Sequence, residues 1–551
     1  MALMHFKHPL CASIFSLFIM VILAACGSMG IIEAPKPEVS DESWLPHNVA
    51  ILPFANQTSN PEAAAVVRKM FYNFFSSLNY LDLEPSFIDE KLKKKTYYNK
   101  ITAGEVLSAR QLGQMLGVDA VVFGEVISLG KVYAVLYSDT QASLKARMVS
   151  CHSGQTVWEL EHTAHLRSGD VPLSITGLAA ALVKTAISHQ RADVMQAASK
   201  LCMQMIATVP NRPALAESPP RIEVMVHNGA GTLMQPGSLL KVVMVGDDGL
   251  DAGWSIPPLI ENLPMQEEEP GVYFAGYRIK PQDRLPYGRL VGHLRSKKGL
   301  QSQWVDILGP VTIGEPTVLP SVISRDLVLS SAESPYLVKD ALVVLPGAKL
   351  TVNPGTVIWF RRMGIVVRGE LRIRGTVDKP VRMAGMGAAG WKGILLDQSR
   401  AENVLSNCTI SNAEFGFKAS GSRVIFQHCL IQDNKWGIVL EETTAEIHES
   451  LIRTSEKTGI SARKAQLLVK GSTISENGLG GFLLENSPAR IEQNNIANNG
   501  NWAIKVTDSR SPVRAAHNWW GNEDFNPDTL IIGPVEIQPI LIKPVAFQML
   551  E

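Results

Sequence analysis

Neither sign of charge prevails in this chain. The 52 Lys+Arg balance the 52 Asp+Glu to a formal net charge of zero at pH 7, so no basic surplus argues for nucleic acid. Cysteine is scarce as well. Of six, Cys11 and Cys26 fall in the opening segment. That leaves Cys151, Cys202, Cys408 and Cys429, too few in 551 residues for a disulfide framework. Long apolar runs are missing too. The stretch from Pro9 to Ile22 holds about 14 residues, short of the roughly 20 a membrane-spanning helix needs, and nothing after it would span a bilayer. What is present is 46% apolar residues, enough for cores in three or four domains at this length.

The first residues combine a weakly basic start (His5, Lys7, His8), the short apolar stretch and Leu23-Ala24-Ala25-Cys26, which is the layout of an export signal. The tetrapeptide resembles the lipobox of bacterial lipoproteins. That resemblance implies that residues 1–25 are a cleaved signal peptide and that Cys26 is the acylated first residue of the mature chain. An uncleaved short anchor is the alternative. Each buried CH₂ contributes about 0.8 kcal/mol, so several acyl chains make a lasting anchor. In Gram-negative lipoproteins Gly27, rather than Asp, after the cysteine favours the cell outer membrane. Residues 26–45, rich in Pro, Gly, Ser and acids, read as a lipidated flexible tether.

From Asn48 an α/β pattern is expected over residues 46–210. Val49–Phe54 forms a strand, residues 61–78 a helix with Val66, Met70, Phe74 and Leu78 at helical spacing, and Pro61 suits its first turn. A further helix over 103–117, a buried strand at Ala120–Gly124, antiparallel strands over 131–165 and a long helix over Ser174–Ala207 complete it. Val49–Phe54 with Asn56, Gly117-Val118-Asp119-Ala120 with Gly124, Tyr137-Ser138-Asp139-Thr140 and Ser153–Glu159 are similar to a family of Gram-negative lipoproteins with a CsgG/TolB-N-terminal-like domain. Cys151-His152 departs from that family, which usually has an acidic residue before the Ser-Gly turn. It has no established catalytic residues, and none is carried over. Alternating apolar residues between Gly/Pro turns over 219–315 predict a β-sandwich, and Pro236-Gly237-Ser238 with Gly271–Tyr277 resembles an immunoglobulin-like module.

The strongest internal signal is a repeat, expected over 330–530 and followed by a C-terminal tail, 531–551. Glycine-plus-apolar pairs at Gly393, Gly416, Gly437, Gly459 and Gly481, with Ala503 last, step by 23, 21, 22, 22 and 22 residues. A second marker, Cys408, Cys429, Ser450, Ser472 and Asn494, steps by 21, 21, 22 and 22. Two markers with one period predict a right-handed parallel β-helix solenoid with three short strands per coil. Asn518-Trp519-Trp520-Gly521 resembles the terminal signature of the pectate-lyase-like and NosD-type repeat proteins.

Counting four residues past each glycine marker gives Asp397, Ser420, Glu441, Arg463, Glu485 and Thr507, which stacking should turn into a ladder with rungs about 4.8 Å apart. Glu441 and Glu485, two rungs apart at roughly 9.6 Å, approach the spacing of an inverting glycosidase pair. Arg463 between them would keep both ionised, whereas the acid of such a pair must carry a proton. The aspartate clusters of β-helix lyases and hydrolases are missing, since Asp378, Asp397, Asp433 and Asp508 are scattered, so no catalytic residue is assigned. Glu441, Arg463, Glu485, Trp436 and Trp502 are the candidate ligand-facing residues. Trp391, Trp519 and Trp520 read as packing or capping residues. Asn412, Asn434, Asn477 and Asn499 are expected at turns that need a left-handed backbone, Cys408 and Cys429 as stacked inward thiols. His152, His162 and His165 fit no metal spacing, and no metal or cofactor is implied.

These readings add up to a multidomain, non-enzymatic outer-membrane lipoprotein: an α/β domain, an all-β immunoglobulin-like sandwich and a β-helix. It is expected to bind the membrane through acylated Cys26 and to present its β-helix to cell-envelope polysaccharide or a protein partner. A polysaccharide lyase or hydrolase and an oligomeric accessory of envelope assembly or export are the alternatives.

Overall fold

The computed structural model describes residues 45–58, 60, 62–94, 97–105, 107–134, 137–166, 189–212, 218–387, 390–509, 511–521 and 526–545. The expected signal peptide (1–25), Cys26, Pro61 and all but the last residue of the expected tether lie outside them. Among the described residues no helix is long and apolar enough to cross a membrane.

The first domain is built on one sheet whose path runs from Leu81–Asp82 through Asn48–Ile51, Ala120–Ala134 and Tyr137–Ser150 to Thr156–Leu166. Alternation along the strand sets its two layers. Val49 and Ile51 face the helices Ala63–Phe75 and His189–Ile206 in one core. Ala50 and Leu52 face Pro85–Lys93 and Ala109–Leu116 in another. The strand expected to stop at Gly124 runs on to Ala134, because it pairs along its length with Tyr137–Ser150. The helix expected over 103–117 covers only Ala109–Leu116 and ends on Gly117, whose φ of 75° is the left-handed stop that glycine supplies. Pro85 opens another helix that the sequence reading passed over.

The second domain contains two four-stranded antiparallel sheets and a three-stranded one. Met225, Met244, Trp254, Tyr273, Leu294 and Trp304 are buried in the domain and belong to the same continuous core as the helix Ala63–Phe75. That helix is clamped on the strand Gln301–Val305. Asn73 donates to the carbonyl of Val305 at 3.1 Å and accepts from its N–H at 2.9 Å, and Phe74 meets Trp304 edge-on at 5.9 Å. The sandwich is therefore a docked domain rather than a loose spacer.

The third domain is a solenoid of three parallel sheets with nine, ten and ten strands. It begins earlier than the sequence suggested. Thr317–Val318, Val322–Ile323 and Leu327–Leu329 already form a first coil, pairing with the strands at 336, 342 and 349. It also ends later, because Ile531–Ile532 and Val535–Glu536 extend the second and third sheets where a tail was expected. The repeat markers missed both ends because these coils lack the Gly-apolar pair.

From the coil at Trp391 onward the coils turn on left-handed residues before their corners, as at His428, Asp433 and Glu442 with φ of 53°, 54° and 49°. The asparagines act differently from expectation: of Asn412, Asn434, Asn477 and Asn499, only Asn412 has positive φ. The other three sit one residue later and point inward. Asn434 accepts from Ala413 N–H at 2.9 Å and donates to Ile410 O at 3.2 Å, and Asn477 repeats this with Ser455 and Ile452. Each amide thus satisfies buried backbone groups of the preceding coil. The second marker is a similar ladder: Cys429 N–H bonds to Ser450, Ser450 to Ser472, Ser472 to Asn494 and Asn494 to Asn518. Cys408 and Cys429 head that ladder as buried free thiols with their sulfurs 3.5 Å apart.

Candidate binding face of the solenoid

The first sheet of the solenoid is covered by the other two domains. Leu337, Val357 and Trp359 pack with Leu233 of the sandwich. Arg284 donates to Ser334 O at 2.7 Å, and the Arg382 guanidinium lies 4.1 Å over the Tyr287 ring. Any ligand of the solenoid must therefore meet the second or third sheet.

The outer side of the second sheet carries three columns, because alternate residues of stacked strands point the same way. Strand register places Asp397, Ser420, Glu441, Arg463, Glu485 and Thr507 in successive rungs of one column, the ladder that counting predicted. Its electrostatics differ from expectation in one respect. Arg463 bonds Glu441 at 3.3 Å, and no bond joins it to Glu485 among the described contacts, so it does not bridge the two carboxylates. The middle column is mainly aliphatic, with Val343, Val366, Leu395, Lys418, Val439, Ser461, Leu483 and Lys505 in register.

The third column carries aromatic rings at some rungs only: Gly393, Phe415 and Trp436 stand in register, and Thr458 and Gly480 are paired farther along. Phe415 pairs with Trp436, and both are half-buried. Farther along, a Cβ on Gly480 would meet the Trp502 indole nitrogen at 2.2 Å, so the ring rests on bare glycine backbone. Lys505 sits 5.0 Å over that ring, and Lys418 5.4 Å over Phe415, a cation on an aromatic face in each case. Trp391 belongs inside: it stacks on Phe360 at 3.7 Å and bonds Ser411 O at 2.9 Å. Trp520 is buried too.

At the early end of the charged column lies a cleft of 690 Å³. Its origin is turn length. The connection between the second and third sheets takes two residues in one coil (368–369) but four in the coils on either side (345–348 and 398–401), so two long turns flank a notch. Gly369 is required at its floor, since a Cβ would lie 2.1 Å from Ala348 O. Asp326, Lys349, Arg368, Glu370, Asp397 and Arg400 bring charges to the lining. Arg368 bonds Asp397 at 2.8 Å and Lys349 bonds Glu370 at 3.2 Å. Burial pushes the Glu370 carboxyl up, but hydrogen bonds from Arg372 and Lys349 outweigh it and hold the group below the usual carboxylate range. Arg400 has no hydrogen bond or ion pair among the described residues.

Residues 41–212 match the family of GNA1162-like lipoproteins, and residues 383–520 match the right-handed β-helix region. The chain joins a GNA1162-like domain to a right-handed β-helix. Among solved structures, lipoprotein GNA1162 from Neisseria meningitidis is 24% identical, covering 25% of this chain and 94% of that one, with a TM-score of 0.22. The PelC dodecamer from Paraburkholderia phytofirmans in space group P6 is 14% identical over 30% of this chain and 88% of that one, TM-score 0.19. Hypothetical protein CT253 from Chlamydia trachomatis is 13% identical over 30% and 92%, TM-score 0.20. No curated protein matches the chain.

The sequence reading missed the contact that ties the β-helix to the GNA1162-like domain. Arg453, with only 7% of its side chain exposed, bonds Glu62 and Asn60 at 2.5 Å each and Gln432 at 2.7 Å. Asp433 and Glu476 add two carboxylates whose charges act on the same guanidinium. The available signal was an arginine where neighbouring coils have Gln432 and Ser475 in register. In the GNA1162-like domain the three histidines are not gathered: His152 faces Asp119 at 3.6 Å and His162 bonds Gln204 at 2.9 Å.

Proposed function

We propose that the chain is a non-enzymatic lipoprotein anchored in the outer membrane through acylated Cys26, whose β-helix binds an extended cell-envelope polysaccharide along its second sheet. The observation that carries this is the parallel run of a charged column, a mainly aliphatic one and one bearing Phe415 and Trp436, on a sheet other than the one that packs against the sandwich. Rings such as Trp436 and Trp502 offer flat apolar faces to sugar rings, and Glu441, Arg463 and Glu485 offer hydrogen-bonding groups at rung spacing. Stacked coils fix the spacing of these groups before binding, which lowers the cost of ordering them. A protein partner is the second occupant such a face suits.

The test is a glycan array probed with the purified chain, beside cross-linking in intact cells. Glycan binding that falls at least tenfold in a Trp436→Ala, Trp502→Ala double variant supports the reading. An array with no binder and cells with no cross-linked envelope partner would end it. Release of reducing or unsaturated ends from a polysaccharide panel would instead favour an enzyme. If a Glu441→Gln, Glu485→Gln variant kept that activity, those residues would not be its acid and base.

A further inference from the structure

One edge of the GNA1162-like domain is unlike the rest of its surface. Leu81, on the edge strand, is 68% exposed, and Phe87, in the first turn of the next helix, is 43% exposed. That helix buries Pro85, Ile88 and Leu92, so Phe87, Lys91 and Lys94, spaced four and three apart, line its open side. Lys91 lies 5.2 Å over the Phe87 ring, and Lys93 lies 5.0 Å over Tyr98 on the helix Tyr97–Thr102. Lys94 also meets Glu90 at 2.6 Å, and Lys100 meets Glu105 at 3.9 Å. The chain comes into the domain at this edge: Leu81 N–H bonds His47 O at 2.9 Å, and Arg212 holds the carbonyls of Leu45 and Pro46 at 3.1 and 3.2 Å.

We infer that this edge rests on an anionic phospholipid bilayer, with Leu81 and Phe87 entering the interface while Lys91, Lys93, Lys94 and Lys100 meet headgroup phosphates. The inference depends on the membrane anchoring proposed above. Three observations favour lipid over a protein partner. Cys26 and Leu45 are 19 positions apart in the sequence, so even a fully extended backbone keeps them within about 65 Å, and whatever surface holds Cys26 lies near the point where the chain enters the domain. Cations carried on aromatic rings keep an apolar body and a charged tip together, the division that a lipid interface rewards. Leu81 and Phe87 are large apolar groups exposed beside these cations, the pairing that an interface of acyl chains and charged headgroups accommodates. The protein would thus be oriented, not merely tethered, and the orientation would set which side of the β-helix faces away from the membrane.

The test uses the full mature chain with Cys26→Ser, which cannot be acylated, floated with vesicles of phosphatidylethanolamine containing about a quarter phosphatidylglycerol, and with neutral phosphatidylcholine vesicles. Each lysine near an anionic surface contributes roughly fivefold in partitioning. Lys91→Gln with Lys93→Gln should therefore lower flotation by roughly 10- to 30-fold, and high salt should do the same. Leu81→Ser with Phe87→Ser should lower it on the order of tenfold, with an unchanged melting temperature. Absence of flotation, equal flotation on neutral vesicles, or indifference to both double variants overturns the inference. Mass measurement of acylation at Cys26 in a Gram-negative host tests the anchoring separately. A chain without acyl groups would remove the anchor yet leave the flotation result to decide on the edge.

Discussion

Replacing Arg453 by methionine tests how the β-helix is held against the GNA1162-like domain. The substitution keeps the length and apolar stem of the side chain and removes one buried charge. Glu62 and Asn60 lose their bonds across the interface, and Gln432 loses its own within the solenoid. Removing one partner of a buried ion pair costs about 3–5 kcal/mol because the other charge stays uncompensated. We expect the lower figure, about 3 kcal/mol, since Glu62 keeps part of its exposure. The loss should appear as opening of this interface, because the solenoid core around Ile452 and Ile474 does not depend on the arginine. Hydrogen exchange is the assay: amides at 56–58, 62 and 453–456 should exchange about 100-fold faster, while those of the inner strands stay protected. A cycle with Glu62→Gln should give a coupling of about 2 kcal/mol. The pH dependence has a sign. Desolvation raises the Glu476 carboxyl above its ordinary value, and Asp433 and Glu62 raise it further, against the lowering effect of Arg453. A carboxyl raised in the folded state contributes most below its unfolded pKa, and that contribution is lost as pH rises through the folded pKa. Without Arg453 the carboxyl should rise further, so the variant should be less damaging at mildly acid pH than at neutral pH. Exchange at 56–62 that matches the wild type would refute the account, as would a defect that grows on acidification.

Three further outcomes follow from the solenoid and the thiols. Asn477→Ala strands Ser455 N–H and Ile452 C=O in a fully buried corner, and should cost on the order of 2–4 kcal/mol, read as a drop in urea midpoint; a loss below about 0.5 kcal/mol would mean that water replaces the amide. Gly480→Val forces a side chain into the space of the Trp502 ring, so tryptophan emission should shift to the red and any glycan binding should weaken, whereas an unchanged spectrum would mean that the ring is not seated there. Burial raises the Cys202 thiol and raises Cys151 to about 11, and the hydrogen bond to Cys429, with burial added, keeps Cys408 well above the ordinary thiol value. These three thiols should then react slowly with an alkylating reagent near pH 8, Cys429 should do so because it is buried, and all four should react rapidly in denaturant. Fast labelling of the native chain would contradict that burial.

What could be read from the sequence is what repeats. The period near 22 fixed strand order and register well enough that six residues chosen by counting, Asp397 through Thr507, stand in one column. A residue's partner within the stack lies one period away, so local information suffices. The places where the reading failed are aperiodic. Terminal coils carry no marker, hence the early start at Thr317 and the late end at Glu536. The asparagines were read as turn residues because a corner holds two adjacent special positions, and only the structure separates the left-handed residue, Asp433 or Glu476, from the inward amide after it. The docking of domains was also out of reach, because Arg453 and Glu62 are 391 residues apart and neither belongs to a motif.

That division bears on where specificity can reside. Stacked rungs repeat their spacing but not their charge, since Glu441, Arg463 and Glu485 alternate, so a ligand held mainly by ring and aliphatic contacts could still slide by one coil unless something further breaks the register. On the second sheet the break is supplied at one end by the cleft, which exists because two four-residue turns enclose a two-residue one. Asp397 belongs to both, lining the cleft and forming a rung of the column. A chain-like ligand lodged at Arg400 would therefore have its remaining units placed on fixed rungs. Deleting Arg400 and Ala401 shortens the turn at 398–401 to two residues while keeping Ser399, whose N–H bonds Ser422 and whose hydroxyl bonds Gly369 O, so the coils should stay stacked as they do across 368–369. The same deletion should cost any bound glycan its preferred register, detected as loss of preference for one chain end among oligosaccharides of equal length. If the shortened variant still distinguished the chain ends, the cleft would not be the reference point, and the unevenly spaced rings Phe415, Trp436 and Trp502 would have to set the register instead.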